Sequence, residues 1–143
     1  MTKKTVFVVN GVIFDCQGRI LIEQRREKSL SEADGKWGLP GGKIEFAETP
    51  EETVIREVLE ETGCNVEIDG MIPLTCTSIW RYSDLALHTV VLAYWGRLIS
   101  YHKPQIPDKK VSQVNWVFPQ DLKEYTFLPG VLEAITYAIE HRS

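Results

Sequence analysis

The chain has few of the residues that build disulfide frameworks, zinc sites or membrane spans. It holds three cysteines and three histidines, and neither type shows C-x-x-C or metal-ligand spacing. Cys16, Cys64 and Cys76 are odd in number and far apart, which favours buried thiols in a reducing compartment and predicts a cytoplasmic protein. No apolar run approaches the roughly 18 residues of a membrane-spanning helix, so we expect no membrane partner.

The chain also lacks a basic stripe. It has 16 Lys and Arg against 20 Asp and Glu, a net charge of −4, which argues against a nucleic-acid polymer as partner. Lys3 and Lys4 precede the apolar segment 5–14, but this segment is short and has no cleavage site, so it predicts a first strand rather than a signal peptide. We expect one domain over residues 1–143, as a monomer or a homodimer.

Acidic residues are concentrated in residues 50–62, which the sequence predicts to form a helix. Thr49 is a good N-cap residue, Pro50 suits the first helical position, and Glu52 completes a capping box. Gly63 is expected to end the helix, because the residue just past a helix end often takes a positive φ.

Glu57, Glu60 and Glu61 lie within an arc of roughly 100° on this helix. With carboxylates about 6 Å apart and an effective dielectric constant of about 20, each pair repels by roughly 3 kcal/mol. A divalent cation would remove this repulsion, and oxygen ligands favour a hard ion such as Mg²⁺, with Mn²⁺ as a substitute. The helix alone leaves an alternative open, in which the glutamates form a solvated face and Arg56 pairs with Glu60.

The acidic helix is part of a longer sequence pattern. Residues 42–64 follow the spacing G-x5-E-x7-R-E-U-x-E-E-x-G-U, where U is an apolar residue. The residues at the fixed positions are Gly42, Glu48, Arg56, Glu57, Glu60, Glu61 and Gly63. This string resembles the Nudix box of Nudix hydrolases at every fixed position, with Cys64 in place of the usual aliphatic residue.

The resemblance implies a metal site and a reaction class. The implied metal ligands are three helix glutamates and a backbone carbonyl, namely Glu57, Glu60, Glu61 and Gly41. Glu48 and Arg56 would orient these carboxylates. The family's substrates are nucleoside diphosphates linked to another group X, in which water attacks phosphorus and the P–O–P bridge breaks.

The general base is less well defined by the sequence. Glu57 is the first candidate, because a carboxylate beside an activated water can accept its proton. Several members of the family take their base from a separate loop, and near the corresponding place this chain has Asp108, His102 and Gln113. The choice among these residues stays open.

Two further segments resemble the MutT-like nucleoside-triphosphate hydrolases. Arg25 and Arg26 resemble the arginine pair after the second strand, in which Arg26 would contact phosphate; ordinary solvated arginines are the alternative. Phe127, within segment 127–130, resembles the apolar wall beside the nucleobase, to which Leu39 and Trp80 could contribute; ordinary core packing is the alternative for all three residues.

The turn before the box is rich in glycine. Gly41 and Gly42 have no side chain to keep a ligand from the backbone, so they are candidate substrate-binding residues, and a plain turn between strands is the alternative. The chain departs from the MutT-like readers of oxidised guanine, because Val131 and Leu87 stand where those proteins carry Asn and Arg. The predicted function is Mg²⁺-dependent hydrolysis of a (d)NTP to NMP and pyrophosphate. A nucleoside-diphosphate-sugar hydrolase and a non-catalytic nucleotide-sensing module are the alternatives.

The rest of the sequence predicts strands around the acidic helix. Apolar patterns and turn residues indicate strands at residues 6–14, 19–24, 43–46, 66–80, 85–98 and 111–118. Leu132, Ile135 and Ile139 recur at helical spacing and predict a closing helix over 129–142. This order favours an α/β (α+β) fold with a mixed sheet sandwiched between helices, which is also the Nudix fold that the resemblance implies.

Overall fold

The computed structural model describes residues 1–102 and 110–142. Within these ranges the chain forms seven strands, two α-helices and one 3₁₀ helix, and no helix there is long and apolar enough to cross a membrane. The elements are β1 Thr2–Phe14, β2 Ile20–Arg25, β3 Trp37–Gly38, β4 Gly41–Lys43, α1 Pro50–Thr62, β5 Cys64–Arg81, β6 Leu85–Tyr101, β7 Val111–Val117, the 3₁₀ helix Pro119–Glu124 and α2 Val131–His141.

The strands form one mixed sheet. Its main order is β3-β2-β1-β6-β5, and β4 adds to β1 while β7 adds to β2. The β1–β6 pair is parallel, and the other pairs are antiparallel. Strands β1 and β2 pair only at Phe14↔Ile20, and further along β1 pairs with β4 whereas β2 pairs with β3. Strands β1 and β2 therefore separate beyond their connecting turn.

Alternate side chains of the strands supply two cores, one on each face of the sheet. Val9 and Leu21 pack with the fully buried Val54 and Val58 of α1. The neighbouring strand residues pack instead with α2, in a cluster that includes Val12, Ile20, Ile22, Ile135 and Ala138. The sheet thus lies between the two helices, and the predicted fold class is confirmed.

Several element boundaries differ from the sequence prediction. The short strand before α1 is β4, Gly41–Lys43, rather than residues 43–46, because the glycines themselves pair with Val9 and Asn10 of β1. Strand β6 continues to Tyr101 instead of ending at residue 98. Its last residues pair with the first residues of β5, which follow directly from α1.

The buried face of α2 also differs from the predicted apolar stripe. Leu132 is 45% exposed, whereas Val131, Ala134, Ile135 and Ala138 are buried. Ile135 is fully buried and Ile139 packs against the same cluster, so the predicted stripe is right at these two residues and wrong only at Leu132, where the small alanines make the contact instead.

The expectation of three buried cysteines is likewise wrong for one of them. Cys64 is buried and Cys76 is half-buried, but Cys16 is exposed because it lies in the turn between β1 and β2.

Candidate active site

Helix α1 presents the acidic residues next to strand β4. Its first turn has the predicted capping box, in which Thr49 Oγ1 accepts from the N–H of Glu52 at 3.2 Å and Glu52 Oε1 accepts from the N–H of Thr49 at 2.9 Å. Gly63 ends the helix with φ 75°. Val54 and Val58 dock one face of α1 on the sheet, which turns the glutamates of the adjacent face toward β4.

Gly41 and Gly42 allow α1 and β4 to approach closely. The N–H of Gly41 donates to Glu61 Oε1 at 2.9 Å. A Cβ on Gly42 would lie 2.4 Å from Glu57 Cδ, and a Cβ on Gly41 would lie 2.1 Å from the carbonyl oxygen of Val9. Any side chain at these two positions would displace the Glu57 carboxylate or the β1–β4 pairing.

Arg56 lies at the centre of the carboxylates. Its Nε donates to Glu48 Oε2 at 2.6 Å and its Nη2 donates to Glu48 Oε1 at 2.9 Å. Its Nη1 reaches Glu57 Oε1 at 2.9 Å and Glu60 Oε2 at 3.3 Å. One guanidinium therefore offsets part of the repulsion among the glutamates and fixes their orientation.

Glu48 is the strongest partner of this arginine. The hydrogen bonds from Arg56, together with the N–H of Glu45, lower the pKa of Glu48 to about 2. The same contact with Glu48 raises the pKa of Arg56 above its ordinary value. Glu48 is thus ionised throughout the neutral range, and its charge is already committed to the guanidinium.

The three box glutamates do not meet at one point. Among the described residues, no group of three or more His, Cys, Asp or Glu side chains is arranged to hold a metal ion. Glu57 and Glu61 line a common cavity, whereas the Glu60 side chain turns to Arg56 and is 38% exposed. The pair of carboxylates beside two glycines still offers oxygen donors and an open approach, which suit a hard divalent cation.

The cavity beside Glu57 and Glu61 has a volume of about 780 Å³, within the roughly 300–1,000 Å³ of ligand pockets. Besides these two carboxylates, Gly41 and Gly42, it is bordered by polar side chains from several strands and by apolar residues. Those from the sequence prediction are Leu39, Trp80, Leu87 and Val131. One space thus joins the acidic end of the box to an apolar wall.

Two predicted substrate-binding residues lie elsewhere. The pairing of β2 with β7 shifts register between Gln24 and Arg25; Arg25 lines the cavity, whereas Arg26 is exposed outside its lining. Glu23 lines the same cavity, so the two-residue alternation of the strand could have selected Arg25. Phe127 packs instead near Tyr125, with ring centroids 6.2 Å apart, and the following residue, Leu128, lines the cavity.

Of the alternative general bases, the two that lie in the described residues do not line the cavity. Asp108 lies outside the described residues. His102 is exposed at the end of β6, where its N–H donates to the carbonyl of Gly63 at 2.6 Å. The Gln113 amide donates to Gln24 Oε1 at 3.2 Å. Neither His102 nor Gln113 lines the cavity.

Other cavity residues escaped the sequence prediction because they come from different strands. Asn10 of β1, Glu23 of β2 and Thr89 of β6 all line the cavity, as does Lys110 just before β7. Thr89 Oγ1 accepts a hydrogen bond from Trp80 Nε1 at 3.3 Å, which fixes the indole ring at the wall. Only the register of the sheet brings these residues together.

Comparison with known proteins identifies the family. The NUDIX domain model matches residues 4–136. A MutT-like protein of Streptomyces ambofaciens is 48% identical over 116 residues, which cover 81% of this chain and 66% of that protein. An 8-oxo-dGTP diphosphatase of Proteus vulgaris is 44% identical over 66 residues, which cover 46% of this chain and 57% of that protein. The chain therefore spans less than two-thirds of the length of these curated relatives.

Solved structures agree with this result. The NUDIX domain of NrtR from Shewanella oneidensis, solved in complex with ADP-ribose, has a TM-score of 0.70 at 27% identity, covering 95% of this chain and 87% of that one. A NUDIX hydrolase from Nitrosomonas europaea has a TM-score of 0.71 at 19% identity, covering 94% and 88%, and this likeness concerns the fold alone. Because the family model matches well over half of the chain, the chain belongs to the Nudix family.

Proposed function

We propose that residues 1–143 act as one domain that hydrolyses a P–O–P bond in a nucleoside diphosphate linked to X, with (d)NTP to NMP and pyrophosphate as the main reaction. One observation carries the proposal: a single cavity contains Glu57 and Glu61 of the box together with an apolar wall. A nucleotide would use both parts of the cavity: the carboxylates would hold the cation that contacts its anionic phosphates, and the apolar wall would contact the faces of its base. The MutT-like and diphosphatase names of the relatives support the same reaction.

A divalent metal ion fits the oxygen donors of this site. Nudix proteins generally use such ions, and Mg²⁺ would neutralise phosphoryl oxygens and lower the pKa of the attacking water. In the proposal Glu57 and Glu61 are the main ligands, and Glu60 and the Gly41 carbonyl stay predicted ligands. Mn²⁺ would serve as a substitute, because it accepts the same oxygen ligands.

The protein's own groups would orient the reactants. Arg56 and Glu48 hold Glu57 in place through the hydrogen bonds described above. Glu57 is our proposed general base, since a carboxylate at the wall of the cavity can accept a proton from the attacking water. Leu39 and Leu87 would contact the nucleobase, and Arg25 would take the phosphate contact first predicted for Arg26.

A second candidate substrate class is a nucleotide with a sugar on the far phosphate. The related NUDIX domain of NrtR was solved with ADP-ribose, and the cavity volume of about 780 Å³ leaves room for a ligand larger than a mononucleotide. A domain that senses such a ligand without cleaving it is the competing functional class. The complete box favours turnover, because a sensor has no need of the full set of acidic residues.

A substrate panel distinguishes these possibilities. Purified protein is incubated with common (d)NTPs, ADP-ribose and nucleoside-diphosphate sugars, each with Mg²⁺ or with EDTA, and the products are separated by ion-exchange chromatography. We expect NMP and pyrophosphate from (d)NTPs with Mg²⁺ and no products with EDTA. Binding of a nucleotide without any turnover at high protein concentration would favour the sensing module instead.

A further inference from the structure

A buried carboxylate, Glu27, holds two cations at the cavity. Glu27 is only 8% exposed, although it lies in the polar loop after β2. Its Oε2 accepts from Arg25 Nη2 at 3.1 Å and lies 3.1 Å from Lys110 Nζ. Its Oε1 accepts from Ser29 Oγ at 3.0 Å. Both carboxylate oxygens are therefore engaged, and the two cations converge on one of them.

Glu27 is anchored as a charged group. Burial raises its pKa, but the hydrogen bonds from Lys110 and Ser29 and the charges of Lys110 and Arg25 together bring the pKa below its ordinary value. The main chain is fixed as well, since the N–H of Glu27 donates to Asp34 Oδ1 at 2.8 Å. Its carbonyl accepts from the N–H of Leu30 at 3.0 Å. The carboxylate thus has a defined position at the base of the loop.

The two cations belong to the same cavity as the box glutamates. Arg25 and Lys110 both line it, with side chains 39% and 55% exposed. Arg25 is the last residue of β2, and Lys110 immediately precedes β7. The main chain joins the two segments as well, since the N–H of Arg26 donates to the carbonyl of Lys110 at 2.6 Å. Glu23 lines this cavity too, so the cations stand among carboxylates and need a fixed orientation to meet a ligand.

We propose that Glu27 is a positioning residue, which preorganises Arg25 and Lys110 to bind the phosphate groups that the box glutamates do not engage. This inference rests on the proposed function for the identity of the ligand, a nucleoside polyphosphate. Long basic side chains lose rotamer freedom when they bind, and an ion pair made before binding reduces that loss. Arg25 has five N–H donors, and its bond to Glu27 uses only the Nη2 end. The guanidinium can therefore hold Glu27 and a phosphate oxygen together.

The test measures binding without turnover. The probe is α,β-methylene-ATP, in which the methylene bridge between the α- and β-phosphorus atoms cannot be hydrolysed. Its affinity is measured by calorimetry with Mg²⁺. The proteins are the wild type and the double variant of Arg25→Ala and Lys110→Ala, each with and without Glu27→Gln. We expect Glu27→Gln to raise Kd by about 10-fold. In the double-variant background the same substitution should change Kd less than about 2-fold, because its partners are absent. Asp15→Asn is the matched control, since the Asp15 side chain is only 6% exposed, its carboxylate pairs with Arg19 at 2.6 Å, and the residue lies outside the cavity lining.

Several results would overturn the inference. These are no binding by the wild type, an unchanged Kd in Glu27→Gln, or an equal loss of affinity in Asp15→Asn. If Glu27→Gln does not fold, Ser29→Ala replaces it, because Ser29 is exposed and donates to the Glu27 carboxylate. This variant should raise Kd by about 3-fold. An unchanged Kd would count against the inference.

Steady-state kinetics on a hydrolysed (d)NTP add a second measurement. Glu27→Gln should raise KM by about 10-fold and leave kcat within about 2-fold, because a positioning role for binding does not alter the attacked bond. If the wild type hydrolyses the (d)NTP and Glu27→Gln has the same KM, this inference alone is refuted. Weakened binding in the variant, with no turnover by the wild type, would refute the proposed function and leave the positioning role standing.

Discussion

The charged residues in α1 and just before it have different roles in the candidate site. Arg56 touches Glu48, Glu57 and Glu60 at once, and Glu61 is held by the N–H of Gly41. Glu57 and Glu61 line the cavity, and the proposed chemistry depends on them. Glu48 contributes its charge to the guanidinium instead.

Replacing a cavity glutamate should remove activity without removing the fold. We expect Glu57→Gln and Glu61→Gln each to lower kcat by at least about 10²-fold, because each takes negative charge from the proposed metal site. Thermal unfolding should stay close to that of wild type, since neither side chain belongs to the two apolar clusters. Glu51→Gln is the control on the same helix, where the residue is exposed. Near-full activity of both variants across a magnesium titration would mean that the glutamates are an ordinary solvated face.

The pair of Glu48 and Arg56 should make stability depend on pH in a defined direction. The pKa of Glu48 is lowered from 4.5 to about 2 in the folded chain, so protonation favours the unfolded state. The stabilisation is fully present above about pH 4.5 and is lost as the pH falls toward 2. The difference in Tm between wild type and Glu48→Gln should therefore shrink over this range. A difference that stays constant from neutral pH to pH 2 would show that the ion pair does not control acid stability.

At the scale of elements, helix α1 was predictable because its signals are local. Thr49, Pro50, Glu52 and Gly63 define its two ends by contacts within one turn. Strand β4 was misplaced by contrast, because two glycines have no strand propensity of their own. They pair with β1 through the tertiary structure, and the long-range contact decided their conformation. The buried face of α2 was partly wrong for a similar reason, since small alanines rather than Leu132 fit against the sheet.

The capping box gives a stability prediction for α1. Thr49→Ala removes the acceptor of the Glu52 N–H, which should lower the free energy of unfolding by about 1 kcal/mol. Glu52→Gln keeps a side-chain oxygen for the N–H of Thr49 and should cost less than about 0.5 kcal/mol. Urea unfolding of the three proteins measures both values. Equal stabilities of Thr49→Ala and wild type would show that the cap does not contribute.

At the scale of the whole molecule, the box residues and part of the apolar wall could be proposed from the sequence, whereas most of the polar side chains of the cavity could not. Their spacing along one helix and the adjacent turn is local information. Arg25, Lys110 and Glu27 meet only because β2, β7 and the loop after β2 converge. Arg25 rather than Arg26 lines the cavity two residues after Glu23, as the alternation of β2 requires, but only the pairing of the strands shows which face of β2 borders the cavity.

The composition of the cavity wall predicts modest base selectivity. Val131 and Leu87 line the cavity at positions where the oxidised-guanine readers carry polar residues. Apolar contacts discriminate only about 10–200-fold, whereas hydrogen-bonding sites reach about 10⁴-fold. We expect kcat/KM for the common (d)NTPs, measured by pyrophosphate release, to lie within about two orders of magnitude. A preference above about 10⁴ for one nucleotide would mean that polar groups of the cavity read the base.

The central claim is that the cavity at Glu57 and Glu61 hydrolyses a (d)NTP to NMP and pyrophosphate, and the most direct test follows a (d)NTP by ³¹P NMR with Mg²⁺. The wild type should form NMP and pyrophosphate as the first products, and Glu51→Gln should form them at the same rate. Glu57→Gln should form them at least about 10²-fold more slowly. Equal rates for wild type and Glu57→Gln, or NDP and inorganic phosphate as the first products, would contradict the account.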